Sequence, residues 1–179
     1  CTKIAIKNLF KNKPDLVISG INLGANLGKN LIYSGTIAAA YEGTILGISS
    51  AAISLDSSNA KEFRVVKDIS TLIATNLLKH KLPKVIMLNI NVPAIQKRKI
   101  KGMRVTKQGE SSFIDSFERR TDPRGKSYFW IKGVIRNRES SIEFDSGAVA
   151  NGYVSVTPID FNLTNEEYIN ELNLKSLYE

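Results

Sequence analysis

Residues 14–36 read PDLVISGINLGANLGKNLIYSGT, and the chain then continues as IAAAYEGTILG up to Gly47. Leu16–Ser19 is a short apolar run behind Pro14 and Asp15, the pattern of a strand buried in a parallel sheet. Glycines follow at Gly20, Gly24, Gly28 and Gly35, with Asn22, Asn26 and Asn30 at equal spacing. From Thr36 the alanine-rich stretch predicts a helix lying close on the sheet, because alanine leaves little side chain between backbones. Gly47 suits the end of that helix. A strand, a flexible loop and a helix in this order place the loop at the carboxyl end of a sheet. Open α/β folds bind their ligands at that edge.

The pattern repeats outward. SSAAISL, Ser49–Leu55, is a second apolar strand. Residues 60–80 carry Phe63, Val66, Ile69, Leu72, Ile73, Leu77 and Leu78 at helical spacing, and Pro83 closes that helix. KVIMLNINVP, Lys84–Pro93, is a third buried strand. Alternating strands and helices imply an open α/β sheet, and both crossovers are expected to be right-handed. After Pro93 the style changes. GMRVTKQG alternates like a more exposed strand. A DPRG turn, with Pro123 second and Gly125 fourth, predicts a long hairpin. Its far arm holds Tyr128, Phe129 and Trp130 in a row, which cannot all face one side of a strand. One side needs a cover, either the body of the protein or another subunit. Asp145 or Ser146 is expected to open a short helix ending near Gly152, and the strand YVSVTPI follows. Thr164 and Glu167 form a capping-box pattern ahead of a terminal helix. The expected organisation is one domain over 1–179: an α/β core over 1–93, a strand and hairpin arm over 94–145, and a terminal strand and helix over 146–179.

Length and composition agree with one domain, since 179 residues with 42% hydrophobic content can build a sizeable core. The net charge of +8 would help an anionic partner approach, although a lysine-rich solvated surface is the simpler account of it. The densest basic run, Gln96–Lys107, contains no aromatic residue for stacking on single strands, so no nucleic-acid partner is expected. Cys1 is the sole cysteine, which rules out an internal disulfide framework and fits the reducing cytoplasm. No apolar run approaches the roughly 20 residues of a membrane span. The chain starts without Met, and further sequence is expected upstream of Cys1. His80 is the only histidine and falls near a helix end, leaving little material for a catalytic triad or a histidine zinc site.

Chemistry concentrates in the glycine-asparagine loop. Ser34, Gly35 and Thr36 stand where the helix begins, and its free N–H groups and positive dipole end favour phosphate. The two hydroxyls can donate to the same oxygens. An asparagine oxygen is a neutral hard ligand suited to Mg²⁺, Mn²⁺ or Ca²⁺, and Asn22, directly behind the strand, is the best fixed of the three. Such a metal also needs carboxylates, and none lies nearby in sequence. Turn formation alone is the competing reading of these residues. Neither GxxxxGK[ST] nor a strict GxGxxG spacing occurs. Asp122, Asp145 and Asp160 are read as turn or cap residues.

PDLVISGINLGANLG, YSGTIAAAYEGTILGIS, LNINVP, GMRVTKQG, DPRGKSYFWI and GYVSVTPIDFNLT together resemble the SurE family, over about Cys1 to Thr164. The resemblance implies a Rossmann-like α/β fold with a three-layer sheet, a projecting β-hairpin and a carboxyl-terminal element exchanged between subunits of a homodimer or homotetramer. It implies a metal-dependent 5′/3′-nucleotidase acting on nucleoside monophosphates, and also on short polyphosphate. The implied cofactor is Mg²⁺ or Mn²⁺. Carried over by motif, Asn22 is a metal ligand, and Asn26, Ser34 and Thr36, with Gly35 between them, line the phosphate site. The family's other metal ligands, two adjacent aspartates and a serine, are expected upstream of Cys1. Lys29 departs from the family pattern, which often has acidic residues there. A nonenzymatic nucleotide- or anion-binding module, or an inactive fragment, is the alternative reading.

Overall fold

The computed structural model describes residues 1–80, 84–136, 139–169 and 171–172. Five strands form one sheet: β1 (Val17–Leu23), β2 (Ser50–Asp56), β3 (Met87–Pro93), β4 (Met103–Val105) and β7 (Val154–Ile159), in the order β1-β2-β3-β7-β4. β1, β2 and β3 run parallel, β7 is antiparallel to β3, and β4 is parallel to β7. β5 (Ser112–Thr121) and β6 (Ser127–Arg136) make a separate antiparallel hairpin. The helices are α1 (Thr2–Ile4), α2 (Gly35–Ile45), α3 (Arg64–Lys79), α4 (Asp145–Ala150) and α5 (Glu166–Ile169). This is the expected Rossmann-like α/β architecture with its projecting hairpin.

Two apolar clusters show how the layers stack. Val66, Ile69 and Ile73 of α3 pack on Ala51, Ile53, Leu55, Ile90 and Val92. Ile37 and Ala40 of α2 pack with Leu31 on Ala52 and Met87. Successive strand residues point to opposite faces, so α2 and α3 cover opposite sides of the sheet. The crossovers β1–α2–β2 and β2–α3–β3 advance in one direction and therefore have opposite hands. This corrects the expectation of two right-handed crossovers. The physical reason lies in the loop before α2, whose Asn26 backbone is bonded to buried asparagines on one sheet face, committing the chain to that side.

The first strand also extends further than its apolar run. It continues through Gly20 and Asn22 to Leu23, with a cis Gly20–Ile21 peptide and a register shift between Gly20 and Asn22. Gly20 has φ 124°, and a Cβ there would collide with the Ile53 carbonyl oxygen, so only glycine fits. The shift sets Asn22 opposite Ser54 while Ile21 packs against the α3-side core. It thereby turns the asparagine toward the polar half of the sheet.

The hairpin turn forms as expected. Gly125 N donates to the Asp122 carbonyl at 3.0 Å, and Asp122 Oδ1 accepts from the amides of Arg124 and Lys126, each at 2.8 Å. Tyr128, Phe129 and Trp130 are 41%, 64% and 52% exposed, so this chain's own described residues leave both faces of the row open. The capping box does not form. Glu167 N donates to Asn165 Oδ1 at 3.1 Å, and Asn165, nearer the helix than Thr164, supplies the short side chain that meets the first turn of α5. Pro83 and most of the expected terminal helix beyond Ile169 lie outside the described residues.

Candidate active site

An open cleft of roughly 1420 Å³ lies at the carboxyl ends of β1 and β2. Asn22, Asn26 and Ser34 line one side, Asp56, Ser57 and Ser58 continue from β2, and Gln108, Ile131 and Gly133 stand on the hairpin side. Three of the five sequence-designated residues thus meet in one place. Gly35 and Thr36 follow in the first turn of α2 and are not among the residues that line the cleft.

Asn22 is half-buried at the end of its strand. Its Nδ2 donates to the carbonyls of Gly24 (2.7 Å) and Leu23 (3.2 Å). The loop thereby uses up the donor end of the amide, and Oδ1 is the atom left to offer a ligand.

Asn26 is held from four directions. Its backbone N donates to Asn91 Oδ1 at 2.8 Å, and its carbonyl accepts from Asn89 Nδ2 and Asn91 Nδ2, each at 2.9 Å. Its own Nδ2 donates to Ser54 Oγ at 2.7 Å. Asn89 and Asn91 are fully buried at alternate positions of β3 and share a face with Ser54. Sequence reasoning missed them as site supports. The signal was available: two amides two apart in a buried parallel strand have no use for each other and must bond something lying over the sheet.

Ser34 is the N-cap of α2. Its Oγ accepts from Ile37 N at 3.2 Å and its carbonyl accepts from Ala38 N at 2.9 Å. The hydroxyl proton stays available for a ligand. The N–H groups of Gly35 and Thr36 have no acceptor within the helix. A Cβ at Gly35 would meet no atom within 4 Å, so the space beside this residue is open.

The two walls are tied together by Asp145, which is completely buried. Oδ2 accepts from Gly28 N at 2.9 Å, and Oδ1 accepts from Gly109 N at 3.1 Å and Ser146 N at 2.7 Å. Gln108 Nε2 adds a bond to the Gly28 carbonyl at 2.8 Å, and Lys29 N donates to the Ser111 carbonyl at 3.0 Å. Gly28 has φ 54°, and a Cβ there would collide with Ser111. Burial pushes the Asp145 carboxyl up from its ordinary value, against the pull of the Gly28, Ser146 and Gly109 amides. The expectation of a turn or cap residue is corrected here. Phe144 occupies the N-cap position of α4, and Asp145 uses its carboxylate to join loops far apart in sequence. Lys29, at the loop's crest, forms an ion pair with Glu110 across the same seam.

Residues 1–115 match the family described as survival protein SurE. The chain belongs to the SurE family. A Symbiobacterium thermophilum protein named 5′-nucleotidase SurE is 45% identical over 170 residues, 95% of this chain and 66% of the relative. A Nostoc protein of the same name is 39% identical over 182 aligned positions, 97% of this chain and 69% of the relative. The crystal structure of the SurE protein from Aquifex aeolicus matches with a TM-score of 0.78 at 37% identity, over all of this chain and 72% of that one. The chain thus spans about two thirds of the length of the curated relatives it matches.

Within this SurE chain, the donor set suits an oxygen-loving cation in kind but not in number. Asn22 offers one amide oxygen, and Asp56 is the one carboxylate among the described residues lining the cleft. Among the described residues no group of three or more His, Cys, Asp or Glu side chains is placed to hold a metal. Magnesium and manganese call for about six oxygens. These residues can form part of such a site, not the whole of it. Among the described residues no helix is long and apolar enough to cross a membrane.

Proposed function

We propose that the chain forms the phosphate-binding part of a nucleotidase that hydrolyses nucleoside 5′-monophosphates. The observation that carries this reading is the pairing, at one cleft, of the start of α2 with Asn22 and Asn26. The Ser34 hydroxyl and the amides of Gly35 and Thr36 would donate to phosphoryl oxygens, and the dipole of α2 would offset their charge. These contacts strengthen as negative charge builds on the transferring phosphoryl group. Asn26, pinned on both backbone sides, would orient the phosphate or the attacking water. The names of the relatives, 5′-nucleotidase SurE, support the same reaction class.

The same phosphate contacts would serve 3′-monophosphates and short polyphosphate. Mg²⁺ or Mn²⁺ is the proposed cofactor, held in part by Asn22. When bound it would neutralise phosphoryl charge. The exposed aromatic row of the hairpin is the proposed contact of a homodimer or homotetramer, and the cytoplasm is the proposed location.

Phosphate release from AMP, measured with Mn²⁺ and with chelator, tests the reading. It is run on this chain and on a chain extended at its amino end to the length of its relatives. Chelator should abolish release, and Asn22→Ala should raise the Mn²⁺ concentration required. AMP binding without release from either chain would favour the nonenzymatic module instead.

A further inference from the structure

We propose that Tyr33, together with Ile32 and Ile131, forms the subsite that receives the nucleobase. The inference rests on the nucleotidase reading and specifies where the part of the substrate beyond the phosphate is held. The cleft, at roughly 1420 Å³, exceeds even the roughly 300–1,000 Å³ common for small-molecule sites, far more room than a phosphate occupies. Asn22, Asn26 and Ser34 line the cleft together with polar side chains that follow β2 and stand on the hairpin side. The lining also holds large apolar side chains that the described residues leave exposed: Tyr33 is 83% exposed, Ile32 67% and Ile131 62%. They come from two separate elements, the 3₁₀ segment Gly28–Tyr33 and β6, yet face one cavity.

Placement and charge both favour an aromatic ring as the occupant. Tyr33 directly precedes Ser34, so one stretch of backbone carries the phosphate contact and the ring beside it. That stretch is held firmly: Leu31 is buried, Ser34 N donates to the Leu31 carbonyl at 3.1 Å, and Gly28 N is bonded to Asp145. Among the described residues lining the cleft, Lys29 and Asp56 carry charge, and Tyr33, Ile32 and Ile131 are themselves neutral. A neutral base with two π-faces suits a tyrosine ring flanked by isoleucines, and base–aromatic stacking accepts any base.

The test compares kcat/KM for AMP and for ribose 5-phosphate, which lacks the base, in the active enzyme at relatives' length. The wild type should prefer AMP by about tenfold or more, the size expected for one stacked base. Tyr33→Ala should bring the ratio close to one, and Tyr33→Phe should keep it. A wild-type ratio near one, or a Tyr33→Ala ratio equal to the wild type's, overturns the proposal. The latter includes an equal loss on both substrates, as a subunit contact or a purely structural role would give. If the wild type hydrolyses neither ester, the nucleotidase reading fails. Equilibrium binding of AMP against ribose 5-phosphate to the same three proteins then decides the subsite by the same ratios.

Discussion

Asn91→Ala removes the side chain that grips Asn26 from beneath. The wild-type amide accepts from Asn26 N at 2.8 Å and donates to its carbonyl at 2.9 Å, in a fully buried setting. After the substitution the carbonyl keeps its bond from Asn89, so its loss is the modest net value of one hydrogen bond, about 0.5–1.5 kcal/mol. The Asn26 N–H loses its partner inside the protein, which costs about 1–3 kcal/mol more. The sum is about 3 kcal/mol, or a fall in Tm of roughly 6–12 °C for a chain of this size. Thermal unfolding followed by circular dichroism measures it, with phosphate release from AMP assayed well below the transition. Activity should fall along with stability, because the loop that presents Asn26 and Ser34 loses its register on the sheet. Asn91→Asp should be at least as damaging, since it sets a buried anion against the Asn26 carbonyl. An Asn91→Ala protein with Tm lowered by less than about 2 °C and full activity would refute the claim that buried amides of β3 position the loop.

Other consequences follow from single residues. Ser34→Ala removes both the cap of α2 and the proposed phosphate donor. It should cost about 1 kcal/mol of stability by denaturant titration and lower kcat on the order of 10²-fold. Because burial raises the Asp145 carboxyl, the folded protein holds a proton there more tightly than the unfolded chain does. Stability should therefore decline as pH rises from the usual 3.8 through the raised value, and Asp145→Asn should flatten that decline in urea titrations across the range. Glu118 has the opposite sign: hydrogen bonds from Arg120 and Lys132 lower its carboxyl from 4.5 to about 2. Its contribution to the hairpin is present above the usual value and fades as pH falls toward 2, so its carboxyl carbon signal by NMR should titrate near pH 2.

Much of the fold is legible in local patterns. The apolar runs at Val17, Ala51 and Met87, the helical period of Phe63–Leu78 and the DPRG turn each specify an element by neighbours in sequence. The loop's flexible glycines and the Ser34 cap mark the edge where the cleft opens in the same way. What could not be read depends on partners far along the chain. Asp145 resembles an ordinary helix-opening residue until its acceptors meet Gly28 and Gly109, 117 and 36 positions away. Asn89 and Asn91 are hidden inside an apolar strand because their partner is a backbone 63 and 65 residues earlier. The reach of β1 past Ser19 depends on Gly20 lying too close to the Ile53 carbonyl for any side chain, which no spacing rule contains. Asp56, Ser57 and Ser58 enter the cleft only because β1 and β2 are adjacent and end together.

The central claim is that a substrate's phosphate is seated where α2 begins. A crystal of the protein soaked in tungstate, a phosphate mimic, tests it most directly. The account predicts the oxyanion in the cleft, within hydrogen-bonding distance of Ser34 Oγ and the Gly35 and Thr36 amides. Tungstate bound at another site, with this cleft empty and hydrolysis intact in Ser34→Ala, would contradict it.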